Sequence, residues 1–163
     1  MKLNIEPLQA SYQTRQTKGE LIDMKTTYPK LTIQKATLED LKVAAANLSE
    51  GDLRDFNCMQ AGRQPMDVFP KHLDATTVVI KFLGEVLAVG GHSANVWLIT
   101  TKVVTYMTQA ERYGFYRLIK SHVDFVRSQV QDESILSNFV SLANLSHIKL
   151  LKKLGSKIRS EER

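Results

Sequence analysis

The stretch Thr76–Thr101, TTVVIKFLGEVLAVGGHSANVWLITT, decides the fold. Thr76–Phe82 and Glu85–Val89 are apolar, β-branched runs separated by Leu83–Gly84, where a glycine supplies the positive φ that a tight hairpin turn needs. Gly90–Gly91 closes the second run. Asn95–Thr101 (NVWLITT) gives a further strand, and its uninterrupted Val96, Trp97, Leu98 and Ile99 predict burial on both faces and a central place in the sheet.

C-terminal to that stretch the period changes to that of a helix. Thr108 and Glu111 form a capping box, and Tyr116, Ile119, Val123, Val126 and Val130 step by three and four beside a second row of Phe115, Leu118, His122 and Phe125. Two adjacent rows make the broad apolar face of a helix lying on a sheet. Ile135–Ala143 (ILSNFVSLA) reads as a strand, so the long helix becomes a strand-helix-strand crossover with a parallel strand pair. Ser146 opens a last helix with Ile148, Leu151 and Leu154 inside and Lys149, Lys152 and Lys153 outside, stopped by Gly155 as a left-handed cap.

On the N-terminal side, Leu31, Ile33 and Lys35 alternate with Thr32 and Gln34 as a strand. Thr37 stands three residues before Asp40 as a helix start, and Leu38, Leu41, Ala44, Ala45 and Leu48 follow at helical spacing. A shorter helical stretch runs through Asp52–Ala61, and Gly62, Pro65 and Pro70 make residues 62–74 a loop. Residues 1–30 carry no sustained period and read as an irregular extension ahead of one α/β domain spanning 31–163.

The 163 residues carry 22 Lys+Arg against 17 Asp+Glu, a net charge of +5. Six Lys/Arg and two Glu fall between His147 and Arg163, so most of the excess lies at the C-terminus. Aromatics are not interleaved with those basic residues, and no specific nucleic acid is expected. No apolar run approaches the roughly 18 residues of a spanning helix, which predicts a soluble chain without a membrane span. Cys58 is the single cysteine and rules out an intramolecular disulfide; with no secretory leader pattern at the start, a reducing compartment is expected.

Motifs for chemistry are sparse. His72, His92, His122 and His147 show no paired metal-ligand spacing, and Cys58 has no partner, so no metal site is expected. His92, after two glycines at a strand end, is the most site-like histidine, while His122 belongs to the apolar helix face. No nucleophile elbow surrounds any serine, and neither nucleotide-binding glycine motif is present. Glu39–Asp40 and Asp52–Asp55 fall near helix starts, where carboxylates complement the helix dipole. No catalytic residue emerges.

The order strand, helices, hairpin, strand, long helix, strand, short helix resembles the GCN5-related N-acetyltransferase (GNAT) fold, and NLSHIKLLKKLGSK (Asn144–Lys157) is similar to that family's fourth-helix signature. More narrowly, LAVGGHSANVWLITT, YGFYRLIKSHVDF and NLSHIKLLKKLGS resemble the GNAT-like small internal virion proteins of short-tailed coliphages. The resemblance implies a GNAT-like mixed sheet with flanking helices. With eight residues after Gly155, the family's closing hairpin is shortened or absent.

The family's phosphate loop is glycine-rich, whereas Thr101–Gln109 (TKVVTYMTQ) has no glycine and bulky Val103, Val104, Tyr106 and Met107, with Lys102 the one added charge. The resemblance therefore implies a non-enzymatic phage protein without a cofactor, acting through contacts with virion or core proteins during assembly of the internal core or ejection machinery. Lys149, Lys152, Lys153 and Lys157 are its candidate contacts. It would reside in the host cytoplasm during infection or in the virion interior.

Two alternatives stay open. In an acetyl-CoA-dependent N-acetyltransferase with a non-standard phosphate loop, backbone around Leu98, Ile99 and Thr101 would pair with pantetheine. Amides around Thr108 and Gln109 would face the pyrophosphate, and Asn144 would contact the cofactor or structure its turn. The other alternative is an inhibitor of a host enzyme, with a host protein as partner.

Overall fold

The computed structural model describes residues 29–93, 95–131, 137–138 and 140–157. Strand β1 (Leu31–Lys35) leads into helix α1 (Leu38–Ala46), α2 (Glu50–Met59) and the short α3 (Pro65–Val68), which continues as a 3-10 turn at Phe69–His72. The hairpin β2 (Val78–Phe82) and β3 (Glu85–Gly91) is followed by β4 (Trp97–Thr100), a 3-10 turn at Lys102–Tyr106, the long α4 (Gln109–Gln129) and α5 (Leu145–Lys153). The strands form one antiparallel sheet in the order β1-β2-β3-β4.

Alternation along the strands sends side chains to two cores. Ile80, Phe82 and Leu87 pack with Phe115, Leu118 and Ile119 of α4 and with Leu154, while Val79, Val86, Val89 and Ile99 pack with Leu41 and Ala44 of α1. Helices therefore cover both faces. Both helix starts expected from sequence carry complete capping boxes, Thr37 with Asp40 and Thr108 with Glu111. The hairpin turn has φ 51° at Leu83 and 81° at Gly84, both in the left-handed region, as a type I′ turn requires.

Several expectations are corrected. Residues 62–74 are not a plain loop, because Pro65 sits at the first position of α3, where its missing N–H costs nothing. Strand β3 runs past Val89 through Gly90 and ends at Gly91; a Cβ on Gly90 would stand 2.5 Å from the Trp97 carbonyl oxygen, so only glycine lets β4 approach this closely. Among the described residues β4 is the outermost strand, not a central one, and the sheet has no parallel pair.

Of the strand expected at Ile135–Ala143, the described residues form none. Residues 135, 136 and 139 lie outside the described residues, and 137–138 and 140–143 are irregular or turn. One backbone bond, from Val96 N–H to the Ser137 carbonyl at 3.1 Å, ties this segment to the start of β4. The last helix begins at Leu145 with Asn144 as its cap, one turn position earlier than Ser146 suggested, and Gly155 ends it with φ 85°. The expected extension falls almost entirely outside the described residues, as do residues 158–163 beyond the last helix.

Candidate functional site

Helix α2 presents Asp52 and Asp55, three residues apart and so on one face, to the N-terminus of α5. Asp52 Oδ2 accepts from the Thr100 amide and hydroxyl, both at 2.7 Å, which fixes α2 to the end of β4. Asn144 Nδ2 donates to Asp52 Oδ1 at 3.2 Å and Asp55 Oδ2 at 2.8 Å, while its Oδ1 accepts from the His147 amide. The Ser141 amide donates to Asp55 Oδ1 at 3.0 Å. His147 Nδ1 lies 3.5 Å from Asp52 Oδ1, with the imidazole 11% exposed.

The space for this arrangement is made by Gly51, where a Cβ would stand 2.9 Å from Asn144 Oδ1. Burial pushes the Asp52 carboxyl up, but His147 and the Thr100 amide and hydroxyl outweigh it and hold the group below the ordinary carboxylate value. Asp52, Asp55 and His147 offer ligand atoms within 4.8 Å of one another, a spacing that could converge on a cation. The Asn144 amide already stands between the two carboxylates, however, and amide donors reach each of them, so the cluster reads first as a clasp between α2, β4 and α5.

Beside the clasp opens a cleft of about 320 Å³. Its floor is aromatic: Phe69 lies 5.4 Å from Phe56 and 6.4 Å from Trp97 between ring centroids, and the Arg63 guanidinium lies 4.7 Å from the Phe56 centroid. On the other side of β4 a smaller void of about 70 Å³ is lined by His92 and His122 between the sheet, α4 and α5. The His92 amide donates to Thr76 Oγ1 at 2.9 Å, and the ring is buried, so this histidine faces the interior. Burial, with the charge of His92 nearby, pushes His122 down to about 4.

The residues expected to meet a cofactor are not brought together as an open cradle. Thr101 N–H and Oγ1 bond to the carbonyls of Leu87 and Val86 at 2.9 and 2.6 Å, beside the bulge that shifts the β2–β3 register. Val103 and Val104 pack onto the core, and the amides of Val103, Val104 and Met107 are bonded within the turn. Thr108 is committed to the α4 cap and Gln109 is exposed. Leu98 packs against the α4 core, Ile99 against the α1 core, and Asn144 belongs to the clasp. Lys149, Lys152, Lys153 and Lys157 are all exposed, with Lys153 Nζ 5.8 Å from the Tyr116 centroid. Cys58 is exposed.

The family described as bacteriophage T7, probable scaffold protein Gp13, matches residues 76–162, more than half of the chain. The chain belongs to this scaffold-protein family. The family's description fits a non-enzymatic role in virion assembly and phage proteins as partners. No curated protein and no solved structure matches the chain. Among the described residues, no helix is long and apolar enough to cross a membrane. The scaffold family's match covers the hairpin, β4, α4 and α5, whereas Asp52 and Asp55 of the clasp lie outside it.

Sequence reasoning missed the clasp. Asp52 and Asp55 have a sufficient local explanation at the start of α2, and their partner Asn144 is 92 residues from Asp52. The one available signal was the three-residue spacing that puts both carboxylates on one helix face.

Proposed function

We propose that this chain is a non-enzymatic assembly protein of a phage, working through contacts with other virion proteins in building the internal core or ejection machinery. It would work in the host cytoplasm during infection or inside the particle. The observation that carries this reading, beside the family match, is the turn between β4 and α4. In the stretch that stands in place of the phosphate loop, the amides of Val103, Val104 and Met107 are bonded to Thr101 and Val104, the Thr108 amide is bonded to the Glu111 carboxylate, and Val103 and Val104 pack onto the core. The finer reading, a GNAT-like scaffold that no longer binds a cofactor, is supported by the described element order and by helices on both faces of the sheet.

Two measurements test it. Calorimetric titration with acetyl-CoA and with CoA is expected to give no saturable heat up to millimolar ligand; micromolar binding would replace this reading with the acetyltransferase one. A tagged chain recovered from infected cells should bring down other virion proteins. Recovery of a host protein alone, from uninfected lysate as well, would favour the inhibitor reading.

A further inference from the structure

We infer that α4 and α5 together form one docking surface for an acidic protein segment, an inference that rests on the assembly reading and names its partner chemistry. Tyr113, Arg117, Lys120, Asp124 and Arg127 recur at three- and four-residue spacing and share the outer face of α4. Helix α5 is joined to this face: Tyr116 Oη donates to the Lys153 carbonyl at 3.3 Å and Arg127 Nη2 to the Leu154 carbonyl at 2.8 Å. Lys149 and Lys152 lie on the exposed side of α5, next to Lys153.

The charges on this surface are not balanced. Its one carboxylate among the described residues, Asp124, is taken by Lys120 at 2.7 Å and Arg127 at 3.4 Å. Among the described residues no carboxylate lies within ion-pair distance of Arg117, Lys149 or Lys152. Cations left this way invite an acidic partner, whose complementary charge fixes register and speeds encounter.

Two further features favour a protein segment over nucleic acid. Tyr113 is 56% exposed, and its ring lies 6.1 Å from that of Tyr116, so an apolar platform sits beside the cations. Asp124 in the middle of the α4 stripe opposes a continuous phosphate backbone. The whole surface falls within the segment matched by the scaffold-protein family.

The probe is a short labelled peptide rich in Glu and Asp, titrated into the full chain at moderate salt beside a neutral Gln/Asn counterpart and a DNA duplex. Saturable binding of the acidic peptide is expected, weakened about tenfold or more by the triple variant Arg117→Glu, Lys149→Glu, Lys152→Glu. Tyr113→Ser is expected to weaken it severalfold. A control triple variant, Lys35→Glu, Lys42→Glu, Lys102→Glu, carries the same charge change on other exposed positions and is expected to bind like the parent.

Equal loss in the control would overturn the surface and leave only general charge attraction. Tighter binding of the duplex would assign the surface to nucleic acid instead. No effect of Tyr113→Ser would overturn the joint surface of the two helices. If the parent chain co-purifies with virion proteins and the α4–α5 triple variant does so equally, the inference falls while the assembly reading stands. If the parent itself brings down none, it is the assembly reading that fails.

Discussion

Helix α5 meets the rest of the molecule in two opposite ways. At its N-terminus, Asn144 and His147 are held by Asp52 and Asp55 in a buried arrangement where each carboxylate has donors. On its outer side, Lys149 and Lys152 project to solvent with no carboxylate near them among the described residues. Charges that are buried and matched hold structure together, because removing one strands its partners in low dielectric; exposed and unmatched charges contribute little to folding and remain free for a partner. The two ends of one short helix should therefore respond in opposite ways to substitution.

The largest effect expected is at the clasp. Asp52→Ala leaves the Thr100 amide without its acceptor and takes from the Asn144 amide one of its two, and should lower unfolding free energy by about 3 kcal/mol in urea denaturation. A change below half that would mean the clasp is wet and exchangeable, and the comparison would lose its basis.

Acid titration separates the clasp from a second buried group. His122 falls from an ordinary 6.5 to about 4, so between those values the unfolded chain takes up a proton that the folded chain refuses, and stability falls as pH falls. That window is worth up to roughly 3 kcal/mol. The Asp52 carboxyl is depressed below its ordinary 3.8, so its contribution is present above that value and is lost as pH drops through the lower folded one. Urea midpoints followed into acid should thus decline through two ranges, with His92 adding to the upper and Asp40 and Asp74 to the lower, and His122→Leu should reduce the upper decline and leave the lower one unchanged.

Asn144 tests what fills the gap between the carboxylates. Asn144→Ala removes the α5 cap and two donors to charged groups, with an expected loss of about 2 kcal/mol. Asn144→Asp keeps a cap acceptor but puts a third carboxylate where a donor stood, and should cost at least as much. A neutral outcome for Asn144→Asp would show that the amide is not the group bridging Asp52 and Asp55.

The same contrast explains what could be read from the chain. Thr37–Asp40, Thr108–Glu111, Leu83–Gly84 and Gly155 were legible because each device is complete within four residues. The run Val96–Ile99 was read as central for a sound reason applied to the wrong direction. Apolar residues on consecutive positions report that both faces are covered, here by the α1 and α4 cores, and say nothing about whether a neighbouring strand lies on each edge. Pro65 was read as a breaker because proline disrupts helix interiors, whereas at a first helical position it fits. The clasp stayed hidden because it joins residues from the two ends of the domain, and no local period encodes such a meeting.

The smallest expected effect is on the cationic side, and it is the sharper half of the comparison because it predicts almost nothing. Lys149→Gln and Lys152→Gln together remove two exposed charges and no buried contact, so thermal and urea midpoints should move by no more than about 0.5 kcal/mol, in either direction. Lys153 differs from its neighbours: its ammonium lies over the Tyr116 ring, and Lys153→Gln forfeits a solvent-exposed cation–π contact worth about 0.5–1 kcal/mol. The three lysines should thus rank Lys153 above Lys149 and Lys152 in stability, while Lys149 and Lys152 should matter more for an acidic partner. A single side chain that scored high in both assays would join what α5 keeps apart.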